Sequence, residues 1–568
     1  MKIINKILIL SFAAILFSSC LKDLDTLPLN TTDFTSENAY ADEGSYLKAL
    51  AYINGYYMLV GQDDPGKNDL GFSDSGQSEF LRQWFNLNEM TCDGLKCVWG
   101  DPYLTELQHD SWGASTNDAL VAVYTRAVKA IALVNEFLLQ TTDSKIDARG
   151  QSGIKGEIAG FRAEARFHRA MFFYVLMDEF GNPPFPMPEN IGGDNPSRIT
   201  RADLFKWLET ELLDLGSDNS AMPAKGAVPY PRPTKGSVWA LLSRMYLNAE
   251  VYTGTARWQD AKDAAQKVIE MGYTLAPKYS DMFRQDNTEN GSAEKEFIFA
   301  IAYDRVSTQS WGGTSTFASA SLSEDANLKL GAEFGLPKIN AENWAGYHVP
   351  DDYVARFDLN DVVWNDKTNV FGYDRATSDK RAFFTNYGST KEFDEKQVLS
   401  GWMCWKFCGL DSNDKLAQQD GVPGNWKLSS ADMPVFRLAE MYLNYAEADA
   451  RLNGGTVKDS KALGYIKELR DRAGVPMPTT ISLEWLLDER AREFMWEGHR
   501  RVDLIRFGKF TDVNYPWTLK GGILNGSSAP TARPASVRWV IWSMRTSRSV
   551  RPAVSATWVG VPPCAAPS

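Results

Sequence analysis

Residues 489–508 read ERAREFMWEGHRRVDLIRFG and are the most informative stretch of the 568-residue sequence. Glu489, Glu493 and Glu497 recur at every fourth position, which places them on one stripe of a helix within reach of neighbouring arginines. Nothing in this spacing marks a pair of carboxyl groups with separated pKa values, which acid–base catalysis would need. We therefore predict a helix over residues 483–507 whose charged side chains form structural ion pairs.

Apolar residues recur at helical spacing on both sides of this stretch. The predicted helices span residues 35–58, 117–139 and 157–180, and two helical pairs lie within residues 235–272 and 438–473. In the first pair, a helix with a bulky apolar face precedes one with a small-residue face, as in the stacked hairpins of tetratricopeptide units. The predicted fold class is mainly α: a tetratricopeptide-like helical-hairpin scaffold with a loop-rich α+β insertion at about residues 274–433. A second loop-rich region covers residues 61–113, and such loops are where binding function usually lies.

The N-terminus has the features of a secretion signal. Two lysines precede an apolar run over residues 7–17, which at about 1.5 Å of helical rise per residue is too short to span a bilayer. Two serines then stand directly before Cys20. We predict that residues 1–19 are a cleaved signal peptide and that Cys20 carries a lipid anchor; an ordinary cleaved signal with an incidental cysteine is the alternative.

The formal net charge of −12 describes an acidic protein. It argues against nucleic acid as a partner, because that binding depends largely on Lys and Arg neutralising phosphates. The pairs Cys92/Cys97 and Cys404/Cys408 are compatible with disulfides in an oxidising compartment or with free thiols. Zinc ligation is less favoured, since the spacing is irregular for a zinc site and the chain has only four His. No metal and no cofactor are predicted.

Three segments together resemble a known family. They are residues 156–184, residues 235–275 and residues 436–509, the last of which contains RLAEMYLNYAEADARLNG, IKELRDRAG and the opening stretch. The sequence resembles the SusD/RagB family of outer-membrane nutrient-binding lipoproteins over most of residues 20–520. The resemblance implies a surface-exposed lipoprotein, not an enzyme, that captures an oligosaccharide or sometimes another nutrient, and we expect it to be monomeric. It also implies delivery of that ligand to a SusC-like, TonB-dependent barrel transporter in the outer membrane.

Sugar sites pair flat aromatic rings with amide and charged groups, because a sugar has C–H faces and hydroxyl edges. Residues 82–99 place several such side chains in a short stretch that is similar to the family region supplying part of the glycan platform. The predicted ligand-binding residues are Trp99 and Trp311 first, then Trp84, Arg82, Asn88, Asp93, Trp344 and Tyr347. Tryptophan is more often largely buried than ligand-binding, so a core role is the alternative for each indole.

The sequence is also compatible with two other functions, and its C-terminus has an unusual composition. A lipid-anchored glycoside hydrolase would need two opposed carboxyl groups, which 72 acidic residues do not exclude. A tetratricopeptide-type scaffold would instead bind peptides. Residues 521–568 contain no Asp, Glu or Lys but five Arg, and we interpret them as an atypical tail produced by a shifted reading frame or an incorrect gene end.

Overall fold

The computed structural model describes residues 39–61, 67–113, 116–190, 195–357, 379–390, 392–417 and 427–523. The predicted signal peptide, Cys20 and the tail from residue 524 onward lie outside the described residues. None of the helices in the described ranges is both long and apolar enough to cross a membrane.

The described residues are mostly helical, which confirms the predicted fold class. The α-helices are α1 (Gly44–Gly55), α2 (Phe80–Glu89), α3 (Pro102–Gln108), α4 (Asp118–Gln140), α5 (Asp143–Ala148), α6 (Lys155–Phe180), α7 (Arg201–Gly216), α8 (Lys235–Leu247), α9 (Ala249–Thr253), α10 (Trp258–Ile269), α11 (Gly313–Ala320), α12 (Glu324–Glu333), α13 (Asp351–Val354), α14 (Leu438–Leu452), α15 (Ser460–Ala473), α16 (Leu483–Glu493) and α17 (Arg500–Arg506). The strands are β1 (Lys96–Cys97), β2 (Phe297–Ile301), β3 (Tyr347–His348), β4 (Phe384–Thr385), β5 (Met403–Cys404) and β6 (Met433–Arg437).

Long helices pack successively on one another to form the scaffold. Helix α4 packs on α6, α6 on α7, α7 on α8, α8 on α10, α10 on α14, and α14 on α15. The close contact of α10 with its neighbours follows from its small residues, since Ala261, Ala264 and Ala265 are buried and let helix axes approach. Capping residues set the helix ends. The Asn117 side chain accepts hydrogen bonds from amides in the first turn of α4. Gly181, at φ 76°, ends α6.

The insertion leaves and rejoins the scaffold at one place. Strand β2 lies near its start and β6 at its end, and the two pair antiparallel, with Phe297 opposite Arg437 and Ile301 opposite Met433. Helices α10 and α14, which the insertion separates in sequence, therefore pack together as neighbours. The remaining short strands pair β1 with β3 and β4 with β5, both antiparallel.

The helix predicted over residues 483–507 is wrong as one continuous element. It consists of α16 and α17, separated by a turn in which Trp496 has φ 58° and Gly498 has φ 75°. The helical stripe therefore holds only Glu489 and Glu493, and Glu497 lies in the turn. The left-handed backbone at Trp496 and Gly498, on either side of Glu497, is the physical reason for the break.

The predicted structural ion pairs are confirmed, although most partners come from other segments. Glu489 pairs with Arg381 at 2.8 Å, and Glu493 and Glu497 both pair with the Arg437 guanidinium, at 2.6 and 2.7 Å. Burial alone would raise the pKa of Glu489, but Arg381 and two further arginines outweigh it and hold the pKa at about 2. All three carboxylates are thus buried in ion pairs with arginines, as packing groups require.

Part of the region predicted to be loop-rich is helical. Residues 80–89 form α2, because the Glu79 side chain caps its first turn and Phe80, Leu81 and Phe85 face the core. The four described cysteines, Cys92, Cys97, Cys404 and Cys408, are buried free thiols rather than disulfides. In the described ranges no cluster of His, Cys, Asp and Glu has the makings of a metal site.

Candidate ligand-binding site

Three partly exposed indoles from separate segments lie side by side, and we call Trp99, Trp344 and Trp311 the tryptophan arc. Trp344 is central: its ring centroid is 6.4 Å from that of Trp99 and 6.0 Å from that of Trp311. The ring planes turn by 50° at the first contact and by 32° at the second. The arc is therefore a curved apolar surface rather than a flat one.

Trp99 is placed by the β1–β3 pair. Cys97 lies opposite Tyr347, and beyond it the Val98 amide donates to the Gly346 carbonyl at 3.0 Å. This register brings the Trp99 indole onto Gly346, where no side chain intervenes. The Tyr347 ring lies beneath, with its centroid 5.3 Å from that of Trp99.

Trp344 is held by its backbone. The amides of Trp344, Ala345 and Gly346 donate to the carbonyls of Ser319, Leu322 and Ala320 at 2.7, 3.1 and 2.8 Å, which fastens this segment to the end of α11. The Glu342 carboxylate lies 3.4 Å from the Trp344 indole nitrogen and pairs with Lys427 at 2.7 Å. A partly exposed ion pair therefore borders the centre of the arc.

Trp311 belongs to the sequence SWGGT at residues 310–314, in which Gly313 begins α11. Its carbonyl accepts a hydrogen bond from the Thr316 hydroxyl at 2.7 Å. On the other side it lies against Gly76, where a Cβ atom would fall 2.6 Å from the Trp311 carbonyl oxygen and 2.9 Å from the Arg82 guanidinium. Two loops distant in sequence thus meet at this end of the arc.

The polar edge of the arc is an ion pair. Arg82 pairs with Asp74 at 2.7 Å; the Arg82 side chain is 2% exposed, whereas that of Asp74 is 45% exposed. Asp74 is therefore the solvent-exposed member of the pair, and the buried Arg82 fixes its carboxylate near the loop contact of Gly76 with Trp311. Two oxygen acceptors held in this way suit the hydroxyl groups of a sugar.

The other predicted contact residues lie away from this surface. Asn88 is buried and donates to Glu179 at 2.8 Å, and Asp93 is buried between Arg500 and Arg356 at 2.6 and 2.9 Å. Burial would raise the pKa of Asp93, but the two arginines outweigh it and bring the pKa to about 2. Tyr347 is also buried, and its hydroxyl donates to Asn86. Of these three residues, only Tyr347 contacts the arc, and it does so as the ring beneath Trp99.

Trp84 is partly exposed but belongs to a different surface. It lies on α2, with its centroid 6.0 Å from that of Phe80, and lines a small cavity together with Asn88 and His499. Trp84 lies only fifteen positions before Trp99, so the sequence alone could not show that the two indoles belong to different surfaces.

Sequence reasoning missed two residues of the candidate site. Asp74 lies in the GFSDSGQS stretch at residues 71–78, where Gly and Ser indicate an exposed loop but give no sign of the Arg82 pair. Gly346 follows Trp344 by two positions, and a glycine close to two aromatic residues is the available signal for close approach of a ring.

The relationship to known proteins is clear over nearly the whole chain. Residues 295–537 match the model of the SusD family, and residues 53–247 match a model described as starch-binding associating with outer membrane. The chain is 32% identical to the starch-binding protein SusD of Bacteroides thetaiotaomicron over 545 residues, covering 90% of this chain and 91% of that protein. The chain belongs to the SusD family. A SusD-like protein of Bacteroides ovatus is 22% identical over 89% of this chain and 83% of its own.

Solved structures share the SusD fold. A surface glycan-binding protein A from Bacteroides thetaiotaomicron, solved in complex with laminarihexaose, superposes with a TM-score of 0.59 at 16% identity, covering 85% of this chain and 94% of that one. A SusD-like carbohydrate-binding protein from Bacteroides fragilis superposes with a TM-score of 0.59 at 21% identity, covering 84% and 88%. The fold expected from the resemblance to the SusD/RagB family is confirmed.

Proposed function

We propose that this SusD-family protein binds a curved oligosaccharide of the starch type on the tryptophan arc, without cleaving it. The arc is the observation that carries the proposal. Sugar rings stack on indoles through their C–H faces, and three indoles about 6 Å apart offer consecutive stacking places. Starch is also the ligand named for the Bacteroides thetaiotaomicron relative.

The curvature of the arc supports an α-linked glucan over a straight one. The planes of successive indoles differ by 50° and 32°, so the sugar rings that stack on them must turn relative to one another in the same way. An α-1,4-linked glucan winds into a helix and presents such turning faces, whereas a β-1,4-linked glucan is an extended ribbon. The Asp74 carboxylate at the edge then orients the ligand through its hydroxyl groups.

Binding rather than catalysis fits the chemistry of the site. Glycoside hydrolysis needs two carboxyl groups flanking the scissile bond, one of them protonated as general acid. The two carboxylates beside the arc, Asp74 and Glu342, are instead held in ion pairs with Arg82 and Lys427. The matching relatives are likewise named as binding proteins.

The proposal also includes an anchored location and a transport partner. A lipid on Cys20 would hold the protein at the outer membrane, with which the matched family model is associated. A SusC-like, TonB-dependent barrel would then receive the glycan. Such handover requires only modest affinity, with Kd on the order of µM to mM, or about 4 to 8 kcal/mol.

Calorimetry tests the binding step. The ectodomain is titrated with maltoheptaose and with cellohexaose, and we expect heat of binding only with the first. Trp99→Ala and Trp311→Ala should each weaken maltoheptaose binding about tenfold, which corresponds to ~1.4 kcal/mol. Unchanged affinity in both variants, or release of shorter sugars on incubation with starch, would overturn the proposal.

A further inference from the structure

Behind Trp311 lies a buried carboxyl group that the arc itself does not explain. Glu79 is fully buried, although it is neither a core hydrophobe nor a member of the ion-pair network around α16. One of its oxygens accepts from the Tyr303 hydroxyl at 2.9 Å and from the Ser310 hydroxyl at 2.7 Å. The other accepts from the Arg82 amide at 3.1 Å, which caps α2.

These bonds reach Trp311 from both sides. Ser310 precedes Trp311 and donates to Glu79, and the same Ser310 oxygen accepts from the amide of Gly312, which follows Trp311, at 3.1 Å. Gly312 also packs so closely on the Glu79 carboxyl group that a Cβ atom would overlap it. The carboxylate is thus the common anchor of the two neighbours of Trp311.

The same group connects Trp311 to the polar edge of the arc. Its third hydrogen bond is to the backbone of Arg82, whose side chain holds Asp74. Gly76, between Asp74 and Glu79, touches the Trp311 carbonyl. We propose that Glu79 is a positioning residue that fixes Trp311 and the Asp74–Arg82 pair relative to each other and so sets the affinity for glycan. This inference rests on the proposed function.

Retention of a carboxylate here is unfavourable for folding. Burial raises the pKa of Glu79 to about 7, although bonds from Ser310, Tyr303 and Arg82 oppose the rise. Because this pKa lies above the value in an unfolded chain, the folded state favours the proton, and the contribution of Glu79 to stability is lost as pH rises through about 7. A group that costs stability when ionised and orients a ligand-binding ring is typical of a functional site.

Glu79→Gln is the informative change because it keeps the size and removes the charge. A carboxylate offers acceptors on both oxygens, whereas an amide must turn an N–H group toward either the Arg82 amide or the two hydroxyls. At pH 8 we expect Glu79→Gln to retain or gain thermal stability while its Kd for maltoheptaose rises about fivefold. A residue with a merely structural role would lose stability instead. Ser310→Ala, which breaks the link to both neighbours of Trp311, should raise Kd by a similar factor.

Asp432→Asn is the matched control. Asp432 is also a buried carboxyl group with a pKa raised by burial to about 7, and it also binds Tyr303, whose amide donates to it at 2.7 Å. Its other carboxylate oxygen accepts from the Tyr230 hydroxyl at 2.9 Å, so its two side-chain hydrogen bonds are to Tyr303 and Tyr230 and not to Ser310 or Gly312. We expect Asp432→Asn to change Kd less than twofold.

The pH profile adds a second readout. The charged or titratable groups that face Glu79 are Arg82 with its partner Asp74, and Tyr303 with its partner Asp432. Protonation of the Glu79 carboxylate removes one hydrogen-bond acceptor, as the Glu79→Gln substitution does. The affinity of wild type for maltoheptaose should therefore weaken as pH falls from 8 to 6. The affinity of Glu79→Gln should not change between pH 8 and pH 6. The affinity of Asp432→Asn should weaken over this range as that of wild type does.

A ligand-free measurement separates this inference from the proposed function. In protein labelled with 5-fluorotryptophan, the resonance of Trp311 is assigned by its loss in Trp311→Phe. That resonance should shift in Glu79→Gln and stay in place in Asp432→Asn, whether or not maltoheptaose binds. If wild type binds no glycan, the proposed function fails; if it binds and Glu79→Gln leaves both Kd and the resonance unchanged, only the role of Glu79 is overturned. Equal weakening by Asp432→Asn would also overturn it.

Discussion

Gly346 lies directly against the Trp99 indole, in space that the Cβ atom of any other residue would occupy. The contact exists because the Val98 amide binds the Gly346 carbonyl at 3.0 Å and fixes the register of the two segments. Trp99 can therefore keep its place in the tryptophan arc only while position 346 has no side chain.

Gly346→Ala should displace Trp99 and weaken maltoheptaose binding about tenfold, or by ~1.4 kcal/mol, as measured by calorimetry. The scaffold helices lie outside this contact, so far-UV circular dichroism should be unchanged. Gly100→Ala is the control, since a Cβ at Gly100 meets no atom within 4 Å. Wild-type affinity in Gly346→Ala would show that the position of Trp99 does not matter for binding.

Trp344→Ala should weaken binding more than substitution of either outer indole. Trp344 lies between Trp99 and Trp311, so its loss removes one stacking place and the neighbour that both other rings contact. We expect Kd to rise more than tenfold, a loss above ~1.4 kcal/mol. Affinities of the three single alanine variants for maltoheptaose, compared under one condition, decide this order; a larger effect of Trp99→Ala would contradict it.

Arg381→Met should destabilise the protein severely. Arg381 is fully buried and pairs with Asp379, Glu489 and Glu493, so its loss leaves three buried carboxylates short of a cation. Breaking a buried pair in this way typically costs about 3–5 kcal/mol. Urea unfolding measures the change, and Lys467→Met is the control.

The control removes an ion pair with Asp471 that is more than 60% exposed on both sides. Such surface pairs contribute about 0–1 kcal/mol. A similar loss of stability in Lys467→Met and Arg381→Met would contradict the importance assigned to burial.

Stability should also fall in acid because of His168. Burial lowers the pKa of His168 to about 3, while an unfolded chain takes up the proton near its ordinary value. The unfolded state therefore binds more protons between those pH values, and the free energy of unfolding falls as pH is lowered, by at most about 1.4 kcal/mol per pH unit for this group. Urea unfolding from pH 7 to pH 4 should show a shallower decline in His168→Gln, which still offers the Tyr57 hydroxyl a partner.

The scaffold was predictable because its helices follow local rules. The boundaries of α4 and α6 agree with the prediction to within two residues, since Asn117 caps one and Gly181 ends the other. The break after Glu493 escaped prediction because the apolar and charged spacing continues through it, and only the backbone at Trp496 and Gly498 shows the turn.

The site was predictable only in part. Residue type and loop context pointed to Trp99, Trp311 and Trp344 as candidates, yet Trp99 meets Trp344 only because strands more than two hundred positions apart in sequence pair with each other. The same chemical reasoning proposed Asn88 and Asp93, which are polar but buried in pairs formed by the fold. Composition does not distinguish a polar group that faces a ligand from one that faces an arginine inside the protein.

The buried thiols give the last prediction. Burial raises the pKa of Cys97 and of Cys404 to about 12, so neither forms the reactive thiolate near neutral pH. With Cys20 and Cys564 replaced by serine, native protein should not react with Ellman's reagent. Unfolding in guanidinium should expose four free thiols, those of Cys92, Cys97, Cys404 and Cys408. Fewer than four thiols after unfolding without reductant would mean that a disulfide had formed. That result would contradict the geometry, because it would require two of these packed side chains to leave their places in the core.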